Sequence, residues 1–461
     1  MWIFFPDQNS KVGSDASSQN AETPILNTSW TGSITPPSAS GETWNFEVIR
    51  HTDARNIYNE QPFRDHKTVV GLLDYQTPCT LIYPTALNTH PGSFGINYIY
   101  PRVILKGTFQ ALLTNIPVDN FEEDQFISLE MNSLSFLSWY GAPAILPEYD
   151  YETQAACIKS TESTEYKFDI QHIGKATCSA GNSLSTAHIS GTIKSSARLL
   201  LAFPNPVNLK TIIKYCIGLD SLFCVLIGHQ TKRSTFNVCI NKTYTMDNHE
   251  YEFCGELNIG GGHWKSEEYQ HFAMCLHHNG FGGGTIDVIL NKYFSDQENI
   301  SQRISTIGYC KFVSKNLVDK FKVLLPVLEQ CLEKKYTSMD ELSFINTKNE
   351  FFEWIDSARS ASIQEFAKKH VTIKEKKSPS LKILLQRAIT DINCYGFSID
   401  IKMADKISKR RNLLFHSAIK FREEDVMNFH SEYRIAIAIL TLITFTDLGI
   451  NISCLKKKCT C

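Results

Sequence analysis

The chain is 461 residues long, with 43% hydrophobic and 20% charged residues and a formal net charge of −2. That length exceeds one compact core, so two or three domains are expected, and the composition is that of a soluble globular protein rather than a disordered or fibrous one. The balance hides an asymmetry: from Ser301 onward there are 27 Lys/Arg against 18 Asp/Glu, and the first 300 residues hold 19 against 30. A basic C-terminal part behind an acidic N-terminal part suggests that only the former meets a polyanion.

The opening MWIFFPDQNS has only five apolar residues and no basic segment before them, a poor signal peptide. Residues 1–28 read as a flexible tail, because 6–42 are rich in Ser, Thr, Asn, Gly and Pro and order is expected only near TSWTGSITPP. From Thr43 to Phe294 short alternating or β-branched runs are cut by Gly, Pro and Asn, as in YPRVILKGTFQALL, YKFDIQHI, AHISGTIKSSARLLLAF and LFCVLIGHQ. These are strand signals at sandwich or barrel spacing, so 29–300 reads as a β-rich region, with some helix expected around NLKTIIKYCIGL and loops at GGGHWKSEEY and GFGGGTIDV.

Near residue 300 helical periodicity takes over. Leu317, Phe321, Leu324, Leu325, Leu328 and Leu332 form one stripe despite Pro326. EFFEWIDSARSASIQEFAKKH predicts a second helix, and SPSLKILLQRAITDI a third with Ser378 capping it before Pro379. KMADKISKRRNLLFHSAI predicts a fourth, and EEDVMNFHSEYRIAIAILTLITFTDLG a fifth that stops at Gly449. Residues 301–461 are therefore expected to be a helical bundle. The apolar run Ile435–Phe445, flanked by Arg434 and Asp447, falls short of the ~20 residues that span a bilayer. No membrane segment is expected, and a cytoplasmic location follows. The 14 cysteines, with no regular spacing, are expected to be reduced thiols.

The stretch that carries chemistry is KRRNLLFHS, Lys409 to Ser417. On a helix, Ile407, Leu414 and Ala418 share a packing face, while Asn412 and His416, four apart, share another that Arg411 can reach. A guanidinium, an amide and an imidazole on one rigid element suit RNA cleavage without a metal. Such cleavage removes a proton from the ribose 2′-OH, stabilises a crowded phosphorane and protonates the 5′ leaving oxygen. Histidine can do either proton job, arginine holds phosphate with a two-pronged donor, and the amide can orient its neighbours. Lys406, Lys409 and Arg410 precede the motif and could grip RNA backbone. The same pattern also describes a solvated basic helix with a satisfied histidine.

Other candidates carry less. Cys254, His263, His271, Cys275, His277 and His278 are scattered and lack the tight ligand pairs of a zinc site, so no metal is expected, and they are placed on loops. The glycine runs at 260–262 and 282–284 lack the Gly-Lys-Ser/Thr of a phosphate loop, and no nucleophile elbow is present; no cofactor is expected.

Arg411-Asn412, three residues and then His416 resembles the R-polar-x3-H form of the HEPN superfamily motif. Its placement on a late helix, before a long apolar helix ending in DLG, is similar too. Over about residues 29 to 450 the chain resembles the ApeA-type HEPN proteins of prokaryotic anti-phage defence; SWTGSITPP, YPRVILKGTF and IDVILNKYF are similar to that family's N-terminal segments. The resemblance implies a multidomain α+β protein whose β-rich N-terminal region, sandwich- or barrel-like, senses or regulates. It also implies a C-terminal all-α HEPN domain that is a metal-independent endoribonuclease. Two motifs would face each other in a homodimer, leaving a 2′,3′-cyclic phosphate and a 5′-OH. His416 would be the acid/base, Arg411 the phosphate ligand and Asn412 the orienting residue. RNA is the implied partner, with a phage-derived trigger at the N-terminal region. The alternative is a non-catalytic scaffold whose bundle dimerises or holds RNA.

Overall fold

The computed structural model describes residues 2–5, 30–37, 43–51, 67–74, 76–91, 102–118, 120–141, 145–150, 155–160, 163–187, 190–228, 234–246, 249–260, 285–314, 316–357, 360–370, 379–416 and 423–453. The chain forms two units, the first running to Ser295 and the second starting at Asp296. The first is β-rich and the second helical.

The strands of the first unit are β1 (Trp2–Phe5), β2 (Trp30–Thr35), β3 (Trp44–His51), β4 (Thr68–Leu73), β5 (Thr77–Ile82), β6 (Thr85–Pro91), β7 (Arg102–Phe109), β8 (Ala111–Thr114), β9 (Phe126–Asn132), β10 (Ile145–Asp150), β11 (Ala155–Ser160), β12 (Thr164–Ile170), β13 (Gly174–Ala187), β14 (Ser190–Val207), β15 (Thr235–Met246) and β16 (His249–Ile259). Fourteen of them form one sheet in the order β12-β13-β14-β9-β15-β16-β8-β5-β4-β1-β2-β3-β7-β6, and β10 pairs with β11 alone. Strand β7 passes through Gln110 straight into β8, although five strands separate the two in that order. One residue spans only ~3.5 Å, so the sheet must curl until these strands meet. Gln110 ties the junction: its N–H donates to Ile82 O (2.8 Å), and its carbonyl accepts from Gly260 N (2.6 Å).

The curl encloses Ile34, Trp44, Phe46, Val48, Leu81, Leu105, Phe109 and Leu112, from strands on both sides of it. Trp44 stacks on Phe109 with centroids 5.5 Å apart. Gly107 lies opposite Phe46 in the β3–β7 ladder, and a Cβ there would meet the Phe46 ring at 2.4 Å. Glycine is what lets that ring lie flat across the strand.

Helices α1 (Leu134–Tyr140) and α2 (Leu209–Ile227) bring Phe136 and Phe223 together, ring centroids 4.9 Å apart. Ser133 and Asn208 cap them through side-chain oxygens. Helix α3 (Ile286–Ser295) belongs to this unit. Its Asn291 accepts from Gln171 N at 2.9 Å and donates to Asp169 O at 3.1 Å.

The second unit consists of α4 (Gln297–Gly308), a π-helical turn (Tyr309–Val313), α5 (Leu317–Asp356), α6 (Ala361–His370), α7 (Leu381–Cys394), α8 (Met403–His416) and α9 (Glu423–Asp447). The apolar stripe on α5 is buried from Phe321 to Leu332, and Phe321 meets Phe429 of α9 at 4.8 Å. Pro326 points outward, so the carbonyl that lacks its N–H partner can meet water. Helix α9 ends where Gly449 takes φ +81° and Ile450 N–H bonds back to Phe445 O.

Several sequence expectations shift. Trp2–Phe5, assigned to a flexible tail, form a central strand that pairs with β2 and β4; residues 6–29 lie outside the described set. LFCVLIGHQ, read as a strand, supplies the end of α2 through Ile227, and IDVILNKYF, whose first three residues were given to a loop, is α3, since Ile286, Ile289, Leu290 and Tyr293 bury one helical stripe. EFFEWID continues α5, and the expected second helix divides at Ser357, whose hydroxyl bonds Trp354 O. Ser380 rather than Ser378 precedes α7. Among the described residues no helix is long and apolar enough to cross a membrane.

The cysteines were expected to be reduced throughout, yet Cys239 and Cys254 form a disulfide. They face each other directly in the β15–β16 ladder, a register that sequence spacing does not reveal. Cys254 therefore sits on a strand, not a loop; His263, His271, Cys275, His277 and His278 fall outside the described residues. Burial pushes the thiols of Cys79, Cys178 and Cys310 up to about 12, which leaves them unreactive.

The disulfide spans 15 residues, a loop for which cross-linking stabilises by ~3 kcal/mol in the chain-entropy treatment. Reductant should lower the urea midpoint of the native protein, and a Cys239→Ala/Cys254→Ala variant should start at the lower midpoint and ignore reductant.

Candidate functional site

Helix α8 is set by its neighbours on both sides. The preceding loop is clamped by Asn393, which donates to Ile399 O and accepts from Ile399 N, both at 2.9 Å. Asp400 accepts from Lys402 N at 2.9 Å to start the helix. Met403, Ala404 and Ile407 are buried. Asp405 in the first turn complements the helix dipole and bonds Lys409 (2.8 Å) and Lys382 (2.9 Å). Those lysines hold its carboxyl below the usual range, and Asp405 raises Lys409 in return.

The two arginines of the motif go to different neighbours. Arg410 reaches α9, where Nε and Nη2 donate to Glu432 at 2.7 and 3.4 Å. The two side chains are only 12% and 6% exposed, and the guanidinium lies over the Phe429 ring at 5.1 Å. Arg411 turns to α5, where Nε and Nη2 donate to Glu329 Oε2 at 3.3 and 3.2 Å. It is 31% exposed and lies beside Phe415 at 5.8 Å.

Asn412 is exposed, and so are Leu413 and Phe415. His416 is the last residue of α8, one turn beyond Asn412 along the backbone; its side chain, and Ala418, lie outside the described residues. Arg411 sits one turn from Ile407 and so on the edge of the packed face, not opposite it. Of the residues expected to grip RNA, Lys406 and Lys409 are exposed, but Arg410 is committed inside the bundle because its partner Glu432 is buried.

Glu329 is the residue that sequence reasoning missed. It lies one position past the Leu328 stripe residue of α5, and nothing in its local pattern separates it from the other glutamates there. Among the described residues, the one group of side chains within metal-ligand reach is Cys239, Glu252 and Cys254, and its two sulfurs are bonded to each other.

The first unit supplies the decisive comparison. The family model for ApeA N-terminal domain 1 matches residues 38–273, just over half of the chain. The chain belongs to the ApeA family. No curated protein matches it. The match covers β3 through β16 of this ApeA-family protein, and the residues of α8 lie beyond it.

The Arg410–Glu432 geometry generates a test. Truncating Arg410 leaves a buried carboxylate with no partner, which costs about 3–5 kcal/mol. Arg410→Ala should lower the urea midpoint sharply, whereas Lys409→Ala, which removes an exposed lysine and leaves Asp405 paired with Lys382, should leave it near the parental value.

Proposed function

We propose that this ApeA-family protein is a metal-independent endoribonuclease of HEPN type that acts in anti-phage defence. The observation that carries this reading is the arrangement at the end of α8. A part-exposed Arg411, its guanidinium paired with Glu329, stands beside an exposed Asn412, with His416 one helical turn on. The rigid helix supplies orientation, which is where much of a rate enhancement of this kind originates.

In this reading the ribose 2′-oxygen attacks the adjacent phosphorus and the 5′-oxygen departs, leaving a 2′,3′-cyclic phosphate and a 5′-OH. His416 moves the proton, and Arg411 swings from Glu329 to the phosphorane, whose growing charge its guanidinium stabilises. Asn412 orients the scissile group. Lys406 and Lys409 follow the RNA backbone; Arg410 instead anchors the helix.

One motif brings one histidine, while the reaction needs a base and an acid, so two copies about a two-fold axis complete the site. Leu413 and Phe415, 40% and 45% exposed beside Asn412, are the apolar surface such a partner would cover. The acidic N-terminal unit is assigned to sensing a phage-derived trigger and restraining the nuclease, and the protein to the cytoplasm.

The test is cleavage of total RNA by the purified protein in EDTA. His416→Ala should lose ~10²–10⁴-fold in rate, Arg411→Ala a comparable amount, and Asn412→Ala less, since water can replace an orienting amide. Each variant is melted alongside. A His416→Ala protein that melts normally and cuts at the parental rate would remove α8 from the mechanism and leave a non-catalytic scaffold.

A further inference from the structure

Helices α4, α5 and α9 line an open recess of about 330 Å³, its walls largely apolar with charged groups set among them, that no step above uses. Arg303 of α4 lines it. The residue is 6% exposed. Its Nε donates to Asn299 O at 3.4 Å, and its Nη1 to Asp447 Oδ2 at 2.5 Å and Cys331 Sγ at 3.4 Å. Its Nη2 makes no hydrogen bond to a described residue.

Two lysines of α5 join it. Lys334 bonds Asp296 at 2.8 Å. Lys335 stands 3.9 Å from Asp447 Oδ1, within ion-pair range but too far for a hydrogen bond. Three cations and two carboxylates thus line the recess. Burying a guanidinium is costly, and an apolar side chain would serve packing better. With Nε and Nη1 committed to Asn299, Asp447 and Cys331, what Arg303 adds is a fixed cation with the Nη2 donor left for a phosphate oxygen.

The rim supplies a second kind of recognition. Gln302 and Gln330 are exposed on it, and neither side chain bonds a described residue. Carboxamides pair with base edges through a donor and an acceptor side by side. The volume lies at the lower end of ligand pockets, ~300–1,000 Å³, which admits one nucleotide unit and not a folded polymer.

We propose that this cavity binds a mononucleotide, its phosphate held by Arg303 and Lys335 and its base by Gln302 and Gln330. The proposal does not depend on α8 being catalytic. It does place the ligand on the same helix, within two turns, as the Glu329 that holds Arg411.

The experiment is calorimetric titration of the full chain with AMP, inorganic phosphate and a short unstructured RNA. AMP should bind and inorganic phosphate more weakly. Lys335→Glu, on a part-exposed side chain, should weaken AMP by roughly tenfold or more, the value of a charge-assisted bond, with an unchanged melt. Gln330→Ala should weaken AMP while leaving phosphate unchanged. The proposal is overturned if AMP does not bind at millimolar concentration or if phosphate binds as well as AMP. It falls equally if Lys335→Glu binds AMP like the parent, or if the RNA binds through Lys335 while AMP does not. RNA cleavage, read separately on the same variants, reports on α8 alone.

Discussion

Two consecutive arginines on one helix point about 100° apart, and each finds a carboxylate on a different neighbour. Arg410 runs inward to Glu432 of α9, and Arg411 runs sideways to Glu329 of α5. The inward pair is almost dry, and two charges leave water at a cost that only good geometry offsets. Here two guanidinium nitrogens reach the carboxylate, and the Phe429 ring covers the cation. The sideways pair keeps about a third of the arginine in water, so its charge can be traded for another anion at small expense. One arginine thus fixes the helix, and the next keeps its ion pair at the surface. The rotational setting of Asn412, and of the backbone at His416, follows from the first.

The bundle was legible in outline because apolar periodicity is a local signal. The stripe from Phe321 to Leu332 is buried as its spacing requires, and Gly449 stops α9 by adopting a left-handed conformation. The β-rich character of the first unit was equally plain from its short alternating runs. Less visible was anything decided by partners far along the chain. The segment IDVILNKYF satisfies both strand and helix rules, and contacts to the turn after β12 decide it. Trp2–Phe5 carried too few residues to declare themselves, and two distant strands recruit them.

The candidate site divides along the same line. Arg411, Asn412 and His416 stand within six residues, so their spacing alone raised them. Their placement depends on Glu329 and Glu432, whose roles come from the packing of α5 and α9 against α8. A run of basic residues suggested one continuous grip on RNA, but burial of Glu432 withdraws Arg410 from it. The Cys239–Cys254 bond was hidden for a related reason: ladder register, not sequence distance, brings the two sulfurs together.

The curl closed at Gln110 also bears on how the protein is made. Strand β8 pairs with both β5 and β16, so the sheet cannot be completed until the chain has been synthesised to about Ile259. Such non-local pairing is slow, on the order of milliseconds to seconds. Translation proceeds at ~5–20 residues per second, and α8 is encoded about 150 residues further on, so ten seconds or so separate the last strand from the motif helix. The β-rich unit therefore has time to fold on the ribosome before the arginines and histidine of α8 emerge. A cell making this chain meets the finished N-terminal unit first, and the helix with the reactive residues only afterwards.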